Sequence, residues 1–326
     1  MFIILSILII GLFSFAFLFP FFYISELILS FLPYIIGVSL FGLILSFIKF
    51  KKIKAYMNIK KTFLSIIIVL FGILFFVSSK KFNNFYNGRP TETGLVDSGY
   101  VKILFGNIHK YNQDYTGIKN LIQKNNPDLI MFVEFSEQHY DALKDFLKTN
   151  YPYINSTTWS KKFIGSMVFS KYKINNWADN FQQGMRRYGY FSIELNNQNV
   201  YFYLIHDSSP DSYQHFLMRN NQLSGFIKDF DIQGKNRNNE NVVVLGDFNI
   251  TSRSFYYSKL QSAFSGKVED ITKNFPILFT RKMFGFPFLL AHIDHIRTSS
   301  GIKYLDLNSV AIPGSDHKGF IMELKN

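Results

Sequence analysis

Short apolar runs recur in this chain, and a polar side chain follows where each of them ends. The clearest is Val242–Leu245, whose β-branched residues are typical of a buried strand. It is followed by a Gly-Asp-Phe-Asn sequence, in which the spacing puts Asp247 and Asn249 on the same face of an extended segment. Other apolar runs end in the same way, at Asn107, Glu134 and His206. Rigid scaffolds usually display catalytic groups in loops at strand ends, so this pattern predicts a polar site at these positions.

The first 81 residues have a different character, because Phe, Ile and Leu dominate them. Three stretches, 1–23, 27–48 and 62–78, each have close to the ~20 apolar residues that cross a bilayer. We therefore predict a transmembrane region over 1–81 with about three helices, a linker over 82–99 and a catalytic domain over 100–326. A cleaved signal peptide is the alternative for residues 1–18, but the segment lacks a basic start and a small-residue cleavage site.

Lysines set the predicted orientation of the membrane region. The loop 49–61 carries six lysines and no acid, so the positive-inside rule places it in the cytoplasm. Three helices then deliver the catalytic domain outside the cytoplasm, although Lys80 and Lys81 argue weakly for the reverse. Two helices instead of three would reverse the topology. The expected location is the cell (inner) membrane, multi-pass, with an extracytoplasmic catalytic domain.

Charge and cysteine content limit the chemistry of the catalytic domain. The net charge is +12, and the first 81 residues supply about +7 of it through eight lysines and Glu26. The remaining mildly basic charge suits an anionic substrate but is not typical of nucleic-acid binding. The chain has no cysteine, which excludes thiol catalysis and thiolate metal sites. Oxygen and imidazole ligands favour hard ions, so we expect Mg²⁺ or Mn²⁺.

Periodicity predicts alternating strands and helices through the catalytic domain. The predicted strands are 101–105, 129–133, 167–169, 190–195, 200–205, 242–245, 293–297 and 320–324. The predicted helices are 117–126, 137–149 and 212–230.

A set of motifs in this order resembles the endonuclease/exonuclease/phosphatase superfamily, which includes pancreatic deoxyribonuclease, abasic-site endonucleases, inositol-phosphate phosphatases and neutral sphingomyelinases. The motifs are Asn107, Leu129–Glu134, Gly165–Ser170, Ile205-His206, Gly246–Asn249, Ile293–Ile296 and Ser315–His317. They span 101–324, nearly the whole catalytic domain. The resemblance implies an α/β fold, a four-layer α/β sandwich of two mixed β-sheets (DNase-I-like), with the site at one edge.

To cleave a phosphoester, a site must neutralise the negative charge of the phosphoryl oxygens, align a water and stabilise the leaving oxygen. We expect Glu134 to be the direct metal ligand, with Asn107 and Asp316 completing the metal shell directly or through waters.

The remaining predicted catalytic residues would handle protons and the phosphoryl group. His317 would contact the phosphoryl group or carry a proton, and Asp294 would fix its tautomer. Asp247 and Asn249 would orient the water or the leaving oxygen, and His206 would donate to phosphoryl oxygens. The sequence leaves open whether Asp247 or His317 is the general base, and whether one metal or two bind.

Two elements favour the bacterial membrane-anchored, teicoplanin-resistance-type branch, whose members have been proposed to act on polyprenyl pyrophosphate lipids. The stretch 206–223 resembles its His-Pro-x-Pro-Pro and Arg-Asn-x-Gln-Leu elements, and 313–318 resembles its C-terminal motif. Asp207 and its two following serines depart from the expected prolines, which weakens the inference about substrate. In this interpretation Arg219 and Asn220 bind substrate, with arginine as an anion clamp.

The sequence leaves three functions open. The first is a membrane-anchored metal-dependent phosphoesterase that hydrolyses a lipid phosphate or another phosphoester, with the lipid bilayer as its partner. The second is an anchored nuclease acting on DNA or RNA, and the third is a catalytically silent envelope scaffold. No protein partner is implied. The apolar segment 279–290, interrupted by Arg281 and Lys282, predicts either a loop that dips into the membrane interface or ordinary core.

Overall fold

The computed structural model describes residues 11–37, 100–155, 165–182, 185–234, 241–274, 279–283, 285 and 289–325. The described residues belong to two units, an N-terminal one and the main one that begins before Tyr100, and each is described by itself.

The described part of the N-terminal unit includes two short helices, Gly11–Leu18 and Tyr23–Ser30, which meet at 107°, and residues 32–37 are also helical. Ala16, Ile28 and Leu29 form a small buried cluster between them. No single helix in this described part is long and apolar enough to cross a membrane, although the bent pair meets the criteria for length and composition together. The predicted segment 62–78, the linker 82–99 and the second half of 27–48 lie outside the described residues.

Strands make up most of the main unit. In chain order they are β1 (Tyr100–Asn107), β2 (Leu129–Phe135), β3 (Tyr153–Ile154), β4 (Gly165–Ser170), β5 (Asn175–Gln182), β6 (Met185–Leu195), β7 (Gln198–His206), β8 (Asn241–Asp247), β9 (Val268–Asp270), β10 (Arg281–Lys282), β11 (Leu290–Ala291), β12 (Asp294–Ser299), β13 (Lys303–Ala311) and β14 (Lys318–Lys325). The helices are α1 (Tyr115–Asn125), α2 (Glu137–Asn150), α3 (Tyr213–Gly234) and α4 (Phe255–Ala263).

The strands form two six-stranded mixed sheets and a two-stranded ribbon. The first sheet has the order β13-β14-β1-β2-β4-β3, with β1 and β2 parallel. The second has the order β5-β6-β7-β8-β12-β9, with β7 and β8 parallel. The ribbon pairs β10 with β11. The expected α/β class with two mixed sheets is therefore confirmed.

Each sheet carries helices on one face. In the first sheet, Leu104, Ile130 and Phe132 share a core with Ile118 of α1 and Leu143 of α2. Alternate residues such as Ile103, Phe105 and Met131 point to the other face and are also buried. Burial on both faces explains why these strands read as continuous apolar runs.

The second sheet follows the same plan. Ile205 and Val244 share a core with Phe226 of α3 and Leu260 of α4, and Phe202 and Leu245 are buried on the opposite face. Hydrophobic area removed from water on both faces supplies the main stabilisation of such a fold.

The four strands at the edges of the two sheets were not predicted from the sequence. These are β13 and β3 in the first sheet and β5 and β9 in the second, and the short ribbon strands β10 and β11 were not predicted either. The exposed residues of β13 outnumber its single fully buried one, so its sequence lacks the apolar run that marks an interior strand. All the strands and helices predicted for residues 100–326 are present, with bounds that differ by a few residues.

Candidate active site

Side chains from the two sheets meet where β1, β2, β7, β8 and β12 end or begin. The amide of Asn107, at the end of β1, joins them: its Nδ2 donates to Oε1 of Glu134 at 2.9 Å and to Oδ2 of Asp247 at 3.1 Å. Glu134 belongs to β2 of the first sheet and Asp247 ends β8 of the second. The site is therefore built across the two sheets rather than along one of them.

Glu134 is held in an unusual backbone conformation, with φ of +58°. A non-glycine residue adopts this left-handed region at a cost that surrounding contacts must offset. The Lys110 main-chain N–H donates to Glu134 Oε2 at 3.0 Å, and His206 Nε2 lies 3.7 Å from Oε1. Burial raises the pKa of the Glu134 carboxyl, but His206, Asn107 and Lys110 outweigh burial and hold this pKa well below its usual range. This low pKa favours the anionic form of Glu134 at neutral pH.

Asp247 and Asn249 do lie together, and the loop that follows β8 fixes them. The main-chain N–H of Asn249 donates to Oδ1 of Asp247 at 3.0 Å. Asn249 adopts a φ of +50°, which turns its side chain back so that Nδ2 donates to the main-chain oxygen of Asp207 at 2.9 Å. Gly246 permits this loop, because a Cβ there would lie 2.1 Å from the carbonyl oxygen of Ile205.

His317 lies between two buried carboxylates. Its Nδ1 donates to Oδ2 of Asp294 at 3.1 Å, and its Nε2 lies 3.8 Å from Oδ2 of Asp247. Burial lowers the pKa of His317, but Asp294 and Asp247 outweigh it and raise this pKa to about 9. Burial and the neighbouring Asp294 raise the pKa of Asp247. The expected role of Asp294 in fixing the tautomer of His317 agrees with this geometry.

Arg281, on β10, completes the far side of the site. Its Nε donates to Oδ2 of Asp316 at 3.1 Å, and its Nη1 donates weakly to Oδ1 of Asn249 at 3.4 Å. Burial lowers the pKa of Arg281, but Asp247, Asp316 and Asp294 raise it further. Sequence reasoning did not include Arg281 in the site, although a basic residue inside an apolar segment was the available signal.

Arg219 and Asn220 are placed differently from the expected substrate contacts. Arg219 is fully buried and stacks over the rings of Phe216 and Tyr256. Its Nη1 donates to the main-chain oxygen of Asn249 at 2.8 Å, and its Nε and Nη2 donate to Oδ1 of Asn220. This burial corrects the prediction of direct substrate contact: the pair positions the Asn249 loop.

His295 supports the same loop from the other direction. Its Nε2 bonds the main-chain oxygen of Ile250 at 2.9 Å, and its Nδ1 bonds Oδ2 of Asp270 at 3.1 Å. The neighbouring His292 precedes β12, which begins at Asp294, and its ring stacks 4.6 Å from the ring of His295. Both ring nitrogens of His295 are therefore engaged in hydrogen bonds.

Two groups of donors could hold a divalent ion. Asp247, Asp294 and His317 offer one ligand atom each, all within 4.8 Å of one another. In that group, however, the histidine already bonds Asp294. The Glu134 carboxylate accepts hydrogen bonds on both oxygens and still has lone pairs, and its side chain is 20% exposed. Glu134 therefore fits the requirements of a hard cation best.

The other two expected ligands contribute less directly. The Oδ1 of Asn107 accepts from the His109 main-chain N–H at 3.0 Å while Nδ2 faces Glu134, so this amide orients the carboxylate. Asp316 is engaged by Arg281 through Oδ2, while its buried Oδ1 has no hydrogen-bond partner among the described residues.

Comparisons with known proteins identify the family and the fold. The sequence model of the Endonuclease/Exonuclease/phosphatase family matches residues 103–317. No curated protein matches significantly. A truncated TDP2 from Caenorhabditis elegans is similar in structure, with a TM-score of 0.56 and 17% identity over 70% of this chain and 98% of that chain.

Two further solved structures share the fold. TDP2 from D. rerio, complexed with a single strand DNA product, has a TM-score of 0.57 and 15% identity, over 71% of this chain and 100% of that one. A variant of beta toxin from Staphylococcus aureus with bound magnesium ions has a TM-score of 0.50 and 19% identity, over 68% of this chain and 98% of that one. At these identities the likeness concerns the fold alone.

Proposed function

The chain belongs to the endonuclease/exonuclease/phosphatase family, and we propose that it is a metal-dependent phosphoesterase. One observation carries the proposal: Asn107 links the anionic Glu134 of one sheet to Asp247 of the other, beside the Asp294–His317 pair. An anion for a hard cation, a buried carboxylate and an oriented imidazole are what phosphoester hydrolysis needs in one place.

Glu134 would hold the Mg²⁺ or Mn²⁺ ion. Hydrogen bonds from the Asn107 side chain and the Lys110 main-chain N–H would orient its carboxylate. The bound ion would supply charge to neutralise phosphoryl oxygens. His206, at 3.7 Å from Glu134, lies where its Nε2 can donate to a phosphoryl oxygen beside the metal position.

Asp294 holds Nδ1 of His317, so that Nε2 faces Asp247 and the reacting group. This places His317 as a proton donor toward the phosphoryl or leaving oxygen. Asp247, with its raised pKa, would then orient the attacking water and accept its proton, while the main-chain N–H of Asn249 holds the other oxygen of Asp247. Because the two neighbouring carboxylates favour the protonated form of His317, we infer that Asp247 rather than His317 is the general base.

We further propose that the protein is anchored in a membrane, with its catalytic domain outside the cytoplasm, and cleaves a lipid phosphate or pyrophosphate. The described N-terminal helices support the anchoring, because Phe15, Leu18 and Ile24 are among many large apolar side chains that they leave exposed. The lysine-rich loop 49–61 supports the orientation. The motif resemblance to the membrane-anchored, teicoplanin-resistance-type branch supports the substrate class.

A nuclease is the second candidate, because one structural neighbour was solved with a single strand DNA product. The modest net charge of the catalytic domain argues against strong duplex binding.

A substrate panel separates these functions. The purified full chain, with Mg²⁺ or Mn²⁺, is offered polyprenyl pyrophosphate, phospholipids, plasmid DNA and inositol phosphates. We expect lipid phosphate cleavage, lost in Glu134→Ala and His317→Ala. Cleavage of plasmid DNA alone would overturn the lipid substrate, and unchanged activity in both variants would overturn the site assignment. A reporter fused after Asn326 tests the orientation, and a cytoplasmic signal would contradict it.

A further inference from the structure

The backbone of Arg281 pairs with the segment that contains His317. The strand β10 forms an isolated antiparallel bridge between Arg281 and His317. The main-chain N–H of Lys282 donates to the oxygen of Asp316 at 2.9 Å, and that of Lys318 donates to the oxygen of Thr280 at 2.7 Å. This backbone pairing fixes the position of Arg281 relative to His317, so its guanidinium is not a mobile surface charge.

The Arg281 side chain donates to two oxygens of the site, one of Asp316 and one of Asn249. It bonds Asp316 through Nε and Asn249 through Nη1, and it remains 24% exposed. Arginine has five N–H donors in a planar fork. Among the described residues, these two contacts leave the Nη2 group with no hydrogen-bond partner, so the fork still has donors for an anion.

Glu134 and Arg281 lie at opposite ends of a chain of contacts. From Glu134 the contacts run through Asn107 to Asp247, and from Asp247 they run through Asn249 to Arg281. The carboxylate of Glu134, which would attract a metal ion, thus lies at one end of this chain of contacts. The guanidinium of Arg281, a fixed cation, lies at the other end.

We propose that Arg281 takes the place of a second metal ion, so that this site binds one divalent ion at Glu134 and clamps the phosphoryl group of the substrate with the guanidinium. The proposal rests on the proposed phosphoesterase function and adds the residue that binds the phosphoryl oxygens from the far side. Two positive centres on either side of a phosphoryl group stabilise its charge, as paired metals do in two-metal sites. A guanidinium binds phosphate oxygens in bidentate fashion. It also repels a second cation from Asp316, whose Oδ2 it already occupies.

Metal stoichiometry gives the first test, and it does not depend on activity. Mn²⁺ binding to the purified full chain in detergent is measured by isothermal titration calorimetry. We expect one Mn²⁺ per chain in the parent and in Arg281→Lys, and none in Glu134→Ala. Two ions per chain in the parent would overturn the inference about Arg281. One Mn²⁺ retained in Glu134→Ala would overturn the metal assignment of the proposed function instead.

Phosphate binding gives the second test. Inorganic phosphate is titrated into the Mn²⁺-loaded chain, and we expect Arg281→Ala to weaken its binding about 10- to 100-fold, the usual range for a charged hydrogen-bonding group. Arg281→Lys keeps the charge but loses the fork, so we expect an intermediate loss. Lys282→Ala is the matched control, because this neighbouring cation is exposed, and it should bind phosphate as the parent does.

The outcomes are separable. Unchanged phosphate affinity in Arg281→Ala would contradict the clamp, whatever the substrate panel shows. An equal loss in Lys282→Ala would also contradict it, because it would indicate a general charge effect. Circular dichroism of each variant checks that it is folded, and Arg281→Lys keeps the test valid if Arg281→Ala is not.

Discussion

The hydrogen bond between Asp294 and His317 decides which nitrogen of the imidazole faces the reacting group. Both side chains are buried, so water does not compete for this bond. For Asp294→Asn we expect a fall in kcat of about 10²- to 10⁴-fold, because the amide no longer holds His317 in the required tautomer and orientation. KM should change little, since Asp294 is buried behind the imidazole. Steady-state kinetics with the substrate identified in the panel provide the measurement.

The matched control for this change is Asp306→Asn, which makes the same substitution at an exposed position on the edge strand β13. It should leave kcat unaltered. If Asp294→Asn raised KM and left kcat intact, His317 would not depend on Asp294 for its role.

His139 lies outside the site, and its burial predicts a contribution to the response of stability to acid. It is fully buried at the start of α2, where the Ser136 main-chain N–H donates to its Nδ1 at 3.1 Å. Burial lowers its pKa from 6.5 to about 4. Protonation of His139 at Nδ1 would also place two N–H donors, its own and that of Ser136, opposite each other. The unfolded chain therefore takes up this proton at a higher pH than the folded chain does.

This difference predicts a loss of stability in acid. The contribution of neutral His139 is complete above pH 6.5 and is lost as the pH falls from 6.5 to about 4, by roughly 3 kcal/mol for a shift of this size. The melting temperature of the full chain should fall over this range, and His139→Gln should flatten the fall. The exposed His215→Gln should keep the parental slope. A parallel slope in His139→Gln would show that other groups cause the acid sensitivity.

The parallel pair β7 and β8 tolerates no side chain at Gly246. A Cβ there would lie 2.1 Å from the Ile205 carbonyl oxygen, which is backbone of the neighbouring strand and has little freedom to move. We expect Gly246→Ala to lower the free energy of unfolding by at least about 2 kcal/mol and to displace Asp247. Urea unfolding monitored by circular dichroism measures this cost.

Gly266→Ala separates crowding from backbone strain. Gly266 has a φ of +73°, but a Cβ there would meet nothing within 4 Å. Its cost should be about 1 kcal/mol, from the left-handed conformation alone. Equal costs at the two glycines would mean that crowding between β7 and β8 is not the cause.

Interior strands were predictable because burial on both faces leaves an apolar run in the sequence. Val242–Leu245 is such a run, and β8 does lie in the interior of its sheet. Edge strands need fewer apolar residues, since one edge has no neighbouring strand. Polar residues dominate β5 and interrupt the apolar residues of β13, so neither strand has a continuous apolar run and both escaped prediction. Helix α4 escaped for the related reason that only one of its residues, Leu260, is fully buried.

The site was predictable where its residues follow apolar strands or belong to recognisable motifs. Asn107, Glu134 and Asp247 meet as those patterns indicate. Arg281 escaped because its place in the site depends on the pairing of β10 with the segment of His317, and no local pattern encodes that pairing. Arg219 was misassigned because a sequence motif identifies the residue but does not indicate whether its side chain faces the substrate or the protein interior.

The main unit gathers Glu134, Asp247, Asp294 and Asp316 in one place, and this concentration of acids links its stability to metal. An ion that binds only the folded state at 100 times its Kd adds about 2.7 kcal/mol. For a domain of this size we expect EDTA to lower the melting temperature by several degrees, about 5–10 °C. Differential scanning fluorimetry with and without Mn²⁺ measures the shift.

Glu134→Ala is the control, because it removes the expected ligand and should melt at the same temperature with or without Mn²⁺. A shift of equal size in this variant would place the ion elsewhere, for example among Asp247, Asp294 and His317.

The pairing of β1 with β14 has a consequence for synthesis. Tyr100 is opposite Lys325, and the Ser315 hydroxyl donates to the oxygen of Asn107 at 2.8 Å. A ribosome therefore releases the first half of the catalytic centre long before the segment that carries His317. Because the two sheets share the candidate site, we expect the nascent chain to have no activity until the segment 315–325 emerges and β14 inserts between β1 and β13. The site would then be completed in one late step of synthesis.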